Sequence, residues 1–135
     1  MIRYMLDTNV CVDLLRSSGR VDVQRLKRLD LDRVCLSAVT FAELEYGVWR
    51  SGDRARNERT VLDFCAALEI VPFDDRAAAI YGRVRAELER AGKPIGPLDM
   101  LIASHALALN MTLATSNERE FRRVANLRIE NWRIS

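Results

Sequence analysis

The stretch "YMLDTNVC", from Tyr4 to Cys11, decides how the chain folds. Three largely apolar residues lead into a carboxylate at Asp7, and a helical pattern begins after it. A short apolar run followed directly by a helix is typical of the first strand of an α/β fold. Asp7 therefore either caps the helix that follows or places a carboxylate at the end of a buried strand for chemistry.

The size and composition of the chain suit one compact domain, residues 1–135. The chain is 49% hydrophobic, which is enough for a core of its own. It has no apolar run of about eighteen residues that would span a membrane, and its N-terminus does not resemble a signal peptide. Three widely spaced cysteines among apolar neighbours indicate reduced thiols and a cytoplasmic protein: Cys11, Cys35 and Cys65.

The positive charge of the chain is carried almost entirely by arginine. The net charge is only +2, which does not by itself indicate nucleic-acid binding. Lys27 and Lys93 are the only two lysines among 21 basic residues. The planar guanidinium group suits phosphate, but a GC-rich genome produces the same bias.

Short apolar runs alternate with longer helical patterns along the chain. Strands are predicted at residues 2–6, 34–36, 70–71 and 111–114, with 127–129 as a last candidate. Helices are predicted at residues 10–16, 21–29, 41–49, 53–67, 76–90 and 97–109. This alternation predicts an α/β sandwich with a mostly parallel sheet.

Four acidic residues follow the predicted strands or open the predicted helices: Asp7, Glu43, Asp99 and Glu120. Ligands of open parallel sheets bind beyond the carboxyl ends of the strands, so these side chains are expected to converge. Crowded carboxylates raise one another's pKa or require a counter-ion. A hard divalent cation such as Mg²⁺ or Mn²⁺ prefers oxygen ligands. Together the acids predict a metal site.

Each acid also has a purely structural alternative. Asp7 suits a helix cap, and Thr40 with Glu43 fits a capping box. Asp99 suits the first turn of its helix because it complements the helix dipole. Glu120 lies in a run of charges that solvent would accommodate. Taken singly, these alternatives are the commoner explanation.

Four ordered motifs carry a resemblance to a known family. "MLDTN", "TFAELEYG", "GPLDMLIASHAL" and "TSNEREF", with the closing "RIENW", resemble the PIN-domain ribonucleases, and the VapC toxins of bacterial type II toxin–antitoxin pairs in particular. The likeness covers essentially the whole chain. It implies a PIN-like three-layer α/β/α sandwich with a central, mostly parallel sheet of four to five strands.

The resemblance also implies a Mg²⁺-dependent endoribonuclease, with Mn²⁺ as a plausible substitute. Asp7, Glu43 and Asp99 match the acidic positions of the family that are both catalytic and metal-binding. The last motif departs from the commoner pattern, which carries Asp, so either Glu120 or Asn117 fills the fourth position, and Glu120 is preferred. The polar residues expected to support the acids are Thr8, Asn9, Thr115 and Asn117.

The partners implied by the resemblance are RNA, a VapB-type antitoxin and a second copy of the chain in a larger complex. Relatives cut structured RNA, commonly a tRNA anticodon stem-loop, and those most similar in appearance favour initiator tRNA. The aromatic residues Phe41, Tyr46 and Trp49 suit either the core or a groove for the antitoxin. The arginine clusters within residues 54–59 and 119–123 suit RNA phosphates or a solvated surface equally.

Four other classes of protein fit less well. A dehalogenase-type phosphatase requires a second Asp where Asn9 stands, and a receiver domain requires a Lys-Pro pair later in the chain than Lys93. His105 is the only histidine, which excludes a two-histidine ribonuclease and favours a structural role for this side chain. A catalytically silent PIN domain that serves as a scaffold is the remaining alternative. It is disfavoured because Asp7, Glu43 and Asp99 are intact.

Overall fold

The fold is built around a central sheet of five parallel strands. The computed structural model describes residues 3–134. The strands are β1 (Tyr4–Leu6), β2 (Val34–Ser37), β3 (Glu69–Val71), β4 (Thr112–Ala114) and β5 (Ile129–Glu130), in the spatial order β3-β2-β1-β4-β5. All four pairings are parallel. The predicted parallel sheet is confirmed, while residue 2 of the first predicted strand lies outside the described residues.

Seven helices connect these strands within the described residues. They are α1 (Thr8–Leu15), α2 (Val23–Arg28), α3 (Ala38–Arg50), α4 (Arg54–Ala66), α5 (Asp75–Arg90), α6 (Pro97–Ala108) and α7 (Glu118–Phe121), with a 3₁₀ turn at Leu31–Arg33. Six of them match predicted helices. The four-residue α7 was not predicted because it is shorter than two helical turns and has no apolar period to detect.

Two apolar clusters lie on opposite faces of the sheet. Tyr4 and Leu6 of β1 point into one cluster, which α1, α3 and α4 cover. Met5 points into the other, which α5 and α6 cover. This alternation follows from the two-residue period of a strand. It confirms the predicted three-layer α/β/α architecture.

The central strands β1 and β4 end at the same edge of the sheet. Leu6 is in register with Ala114 of β4, and the N–H of Asp7 donates to the carbonyl of Ala114 at 2.9 Å. The residues that follow β1 and β4 therefore leave the sheet side by side. They leave at the carboxyl edge, where open α/β sheets bind ligands.

Local capping explains where the observed helices differ from the predicted ones. Ser37 caps α3 by accepting from the N–H of Val39 at 3.0 Å, so α3 begins three residues earlier than predicted. Asp22 caps α2, which shortens this helix to six residues. Pro97 is the first residue of α6, as predicted from its fixed φ. Within residues 3–134, none of the helices has the length and apolarity needed to cross a membrane.

Candidate active site

Asp7 is a buried carboxylate at the centre of the carboxyl edge. Its side chain is only 2% exposed. One oxygen accepts from the N–H of Thr8 and the other from the hydroxyl of Thr115, both at 2.7 Å. Burial raises the pKa of Asp7, and these two donors oppose that rise. Asp7 is therefore both the cap of α1 and a carboxylate held rigidly at the end of β1.

Glu43 is connected to Asp7 through a single residue. The hydroxyl of Thr8 donates to Glu43 Oε1 at 2.8 Å and lies 3.3 Å from the hydroxyl oxygen of Thr40. Thr40 is fully buried inside α3, so the alternative that Thr40 and Glu43 form a capping box is wrong. The hydrogen bond from Thr8 to Glu43 joins two distant motifs and was not predicted from the sequence.

Asp99 lies in the first turn of α6, and the other three acids help to raise its pKa. Burial is the largest cause that raises its pKa to about 6, and the negative charges of Asp7, Glu120 and Glu43 follow in that order. Gly96 lies beside its carboxylate, where a Cβ would make ordinary van der Waals contact with Asp99 Oδ2 at 3.5 Å. The four predicted acids therefore form one electrostatic unit.

No arginine or lysine neutralises this unit within the part of the chain that the structure describes. The five ion pairs found there involve other acids. Glu118, for example, pairs with Arg122 at 3.0 Å, whereas the neighbouring Glu120 does not take part in an ion pair. The negative charge of the site is thus available to a ligand from solution.

The donor chemistry of the site fits a hard cation that keeps much of its water. The four acids offer only oxygen, and the single histidine is bonded elsewhere. Among residues 3–134, no three acidic, histidine or cysteine side chains stand close enough to enclose an ion by themselves. Mg²⁺ is commonly held by one or two carboxylates, with water and substrate phosphate completing its octahedron. An open arrangement of carboxylates suits that mode of binding.

Two of the four supporting polar residues contact the acids, and two do not. Thr8 and Thr115 hydrogen-bond to the acids directly, as described above. Asn117 acts through its backbone, whose N–H donates to the Thr115 hydroxyl at 2.9 Å. Asn9 is exposed on α1 and makes no side-chain hydrogen bond within the described residues. The structure therefore does not bring Asn9 into the site.

His105 lies in the core, which fits the structural role predicted for it. It is 1% exposed, its Nδ1 lies 2.8 Å from the hydroxyl of Ser37, and its ring meets Phe73 edge-on at 5.3 Å. Burial lowers the pKa of His105. A neutral imidazole that ties α6 to the end of β2 fits a structural role.

A groove of about 560 Å³ begins at Glu43 and runs between α1, α3 and α4. Its apolar lining includes Leu15, Leu44, Val48 and Val61. Phe41, Tyr46 and Trp49, which suited either the core or such a groove, do not line this groove. Tyr46 and Trp49 are exposed outside it, and Phe41 packs against the core cluster.

Comparison with known proteins identifies the family of this chain. The protein-family model of the PIN domain matches residues 4–127 of the sequence. The chain is 38% identical to the tRNA(fMet)-specific endonuclease VapC of Shigella flexneri over 98% of this chain and 99% of that protein. The chain is a PIN domain of the VapC ribonuclease family.

Other members of the family agree with this PIN domain along its whole length. It is 42% identical to the ribonuclease VapC2 of Rickettsia felis over 96% of this chain and 97% of that protein. The crystal structure of DNA-bound VapBC from Salmonella typhimurium contains a chain with the same fold, at a TM-score of 0.91 and 38% identity, covering 98% of this chain and 99% of that one. The predicted family and fold are confirmed.

Proposed function

We propose that this PIN domain is the toxin of a toxin–antitoxin pair and cuts RNA in the cytoplasm with the help of Mg²⁺. One observation carries the catalytic part of the proposal. Four carboxylates share one site without a cationic partner among the described residues, and the pKa of Asp99 is raised to about 6 in consequence of burial and of the other three acids. A divalent cation would relieve that repulsion.

In this proposal Asp7 and Asp99 would hold the cation, and Glu43 and Glu120 would orient water beside it. When bound, the ion supplies positive charge for the scissile phosphate and lowers the pKa of water. The hydrogen bonds from Thr8 and Thr115 keep Glu43 and Asp7 in fixed positions. Rigid donors and acceptors need little reorganisation when charge develops during the reaction. In-line attack by water leaves a 5′-phosphate and a 3′-hydroxyl.

The substrate proposed for this chain is the anticodon stem-loop of initiator tRNA. The relative from Shigella flexneri is named for its specificity toward tRNA(fMet) and matches this chain along its whole length. Loss of initiator tRNA would stop translation and growth. We therefore expect expression of this chain alone to arrest growth, and expect the Asp7→Asn variant to leave growth unaffected.

The partner proposed for this chain is a VapB-type antitoxin, bound to a dimer of the toxin. The related Salmonella structure is a VapBC complex. The groove between α1, α3 and α4 suits an antitoxin segment because its lining is partly apolar and it begins at the catalytic Glu43. A segment bound there would block access to the acids.

The decisive experiment incubates the protein with initiator tRNA in Mg²⁺ or in EDTA. Wild type should cut only with Mg²⁺, and Asp7→Asn should lose the activity while folding normally. The matched control is Asp63→Asn, since Asp63 is an exposed acid on α4, and this variant should cut like wild type.

The products and the binding data separate the alternatives. A 2′,3′-cyclic phosphate would contradict attack by water. Tight binding of tRNA without any cleavage in Mg²⁺ or Mn²⁺ would instead favour the scaffold, which is the alternative to a nuclease.

A further inference from the structure

Two exposed aromatic side chains follow Glu43 on α3. Tyr46 is 66% exposed and Trp49 is 65% exposed, more than any other large hydrophobic side chain in residues 3–134. Single exposed apolar residues are common on protein surfaces. Two large exposed rings three residues apart on one helix are neighbours on its surface, and a ligand that covers both gains free energy.

An arginine stacks near each of these rings. The guanidinium carbon of Arg50 lies 5.5 Å from the centre of the Tyr46 ring, and that of Arg54 lies 4.1 Å from the centre of the Trp49 ring. Neither guanidinium group takes part in the five ion pairs of the described residues. We call these four residues the aromatic–arginine platform. It combines ring surface with positive charge that no acid neutralises.

The platform begins one helical turn after Glu43 on α3. Glu43, Tyr46 and Trp49 are spaced three residues apart, so consecutive members are neighbours on the helix surface. Each step advances about 4.5 Å along the helix axis and falls about 60° short of a full turn. A strand whose phosphate lies at Glu43 would therefore reach Tyr46 first and Trp49 after it, further around the helix.

We propose that the aromatic–arginine platform binds unpaired bases of the RNA substrate next to the cleaved phosphodiester bond. This inference rests on the proposed ribonuclease function and adds a base-binding surface to it. Stacking on aromatic side chains together with positive charge is how single-stranded nucleic acid is commonly bound. Arginine adds attraction to both the base and the phosphate.

The charge of the platform favours RNA over a protein segment. Arg50 and Arg54 take part in no ion pair within the described residues, so both guanidinium groups can attract phosphate.

The two tryptophans of the chain provide a direct test. Trp49 is 65% exposed and Trp132 only 3% exposed, so only Trp49 is accessible to a stacking base. The probe is the anticodon stem-loop oligonucleotide of initiator tRNA, titrated in EDTA to prevent cleavage. Wild-type tryptophan fluorescence should be quenched by the RNA. Trp49→Phe should lose the quenching and keep its affinity, because it keeps a ring.

Removal of either ring should weaken RNA binding. Trp49→Ala and Tyr46→Ala should each raise the Kd for the stem-loop by about 5- to 150-fold, the range expected for the loss of one stacked base. Val23→Ala is the matched control, because Val23 is a partly exposed apolar residue on α2. This control should bind RNA as wild type does.

Different outcomes separate this inference from the proposed function. If both alanine variants bind the stem-loop with the Kd of wild type and cut it with the KM of wild type, the proposed base-binding role of the platform is wrong. The proposed ribonuclease function is not contradicted by that result. If they keep RNA affinity and lose the antitoxin, the surface binds protein and the inference is again wrong. If wild type binds RNA through Trp49 but never cuts it in Mg²⁺, the platform stands and the ribonuclease fails.

Discussion

Replacement of Asp99 by Asn should make this protein more stable and inactive at the same time. In the folded protein the charge of Asp99 is disfavoured by burial and by the three neighbouring acids. The Asp99 side chain accepts no hydrogen bond in the described residues, so an uncharged amide of the same shape removes the repulsion without the loss of a partner. The catalytic role proposed for Asp99 is lost with its charge.

The size of the effect follows from the pKa. A rise from 3.8 to about 6 corresponds to about 3 kcal/mol, at about 1.36 kcal/mol per pH unit. Solvent reaches part of the side chain and screens it, so we expect the free energy of unfolding to increase by about 1–2 kcal/mol. For a chain of this length that raises Tm by roughly 3–10 °C.

The stabilising effect of Asp99→Asn should depend on pH. Between pH 3.8 and about 6 the folded protein keeps a proton on Asp99 that the unfolded chain releases. Wild type therefore loses stability as the pH rises through this window. The Asn variant has no such proton. Its gain in the free energy of unfolding over wild type is therefore small near pH 4 and reaches its full value above pH 6.

Urea or thermal unfolding at pH 5 and pH 7.5 in EDTA measures this difference. Added Mg²⁺ should raise the stability of wild type, because it neutralises the acids, and should affect Asp99→Asn much less. Asp63→Asn, at an exposed position, is the control and should change stability little. An Asp99→Asn variant that is no more stable than wild type at pH 7.5, or equally favoured at both pH values, would refute the electrostatic explanation.

Two further predictions concern buried groups. Thr115→Val removes the hydroxyl that donates to Asp7, so the free energy of unfolding should fall by about 1–3 kcal/mol and the acidic limb of the pH–rate profile should move to higher pH; an unmoved profile would contradict the role of this hydrogen bond. The three cysteines are buried, and burial raises the pKa of Cys35 to about 12, so a thiol reagent should label none of them in the native protein and all three in urea. Rapid labelling of any native thiol would show that the described packing is wrong.

The layers and the strands could be predicted because each depends on a short-range pattern. The apolar run at β1, the Pro at the start of α6 and the alternation of strands with helices are all visible without the structure. The helix ends were harder to place. Ser37 and Thr40 both suit a cap, and only tertiary contacts decide that Ser37 caps α3 while Thr40 faces Thr8.

The acids of the site could be predicted as a set, but their contacts could not. Asp7, Glu43, Asp99 and Glu120 stand at comparable positions after strands or in first helical turns, so convergence at the sheet edge was foreseeable. The hydrogen bond from Thr8 to Glu43 joins residues that are distant in sequence, and no local pattern encodes it. For the same reason the exposure of Tyr46 and Trp49 was missed, since an aromatic residue on a helix suits a core equally well.

The hydrogen bond between Thr115 and Asp7 spans 108 positions of the chain, and β1 cannot be enclosed before β4 arrives beside it. During synthesis the first strand therefore leaves the ribosome long before its neighbour exists. The acidic site is in this way incomplete until the chain is nearly finished. The interval gives an inhibitor synthesised nearby time to be present when the nuclease first becomes competent.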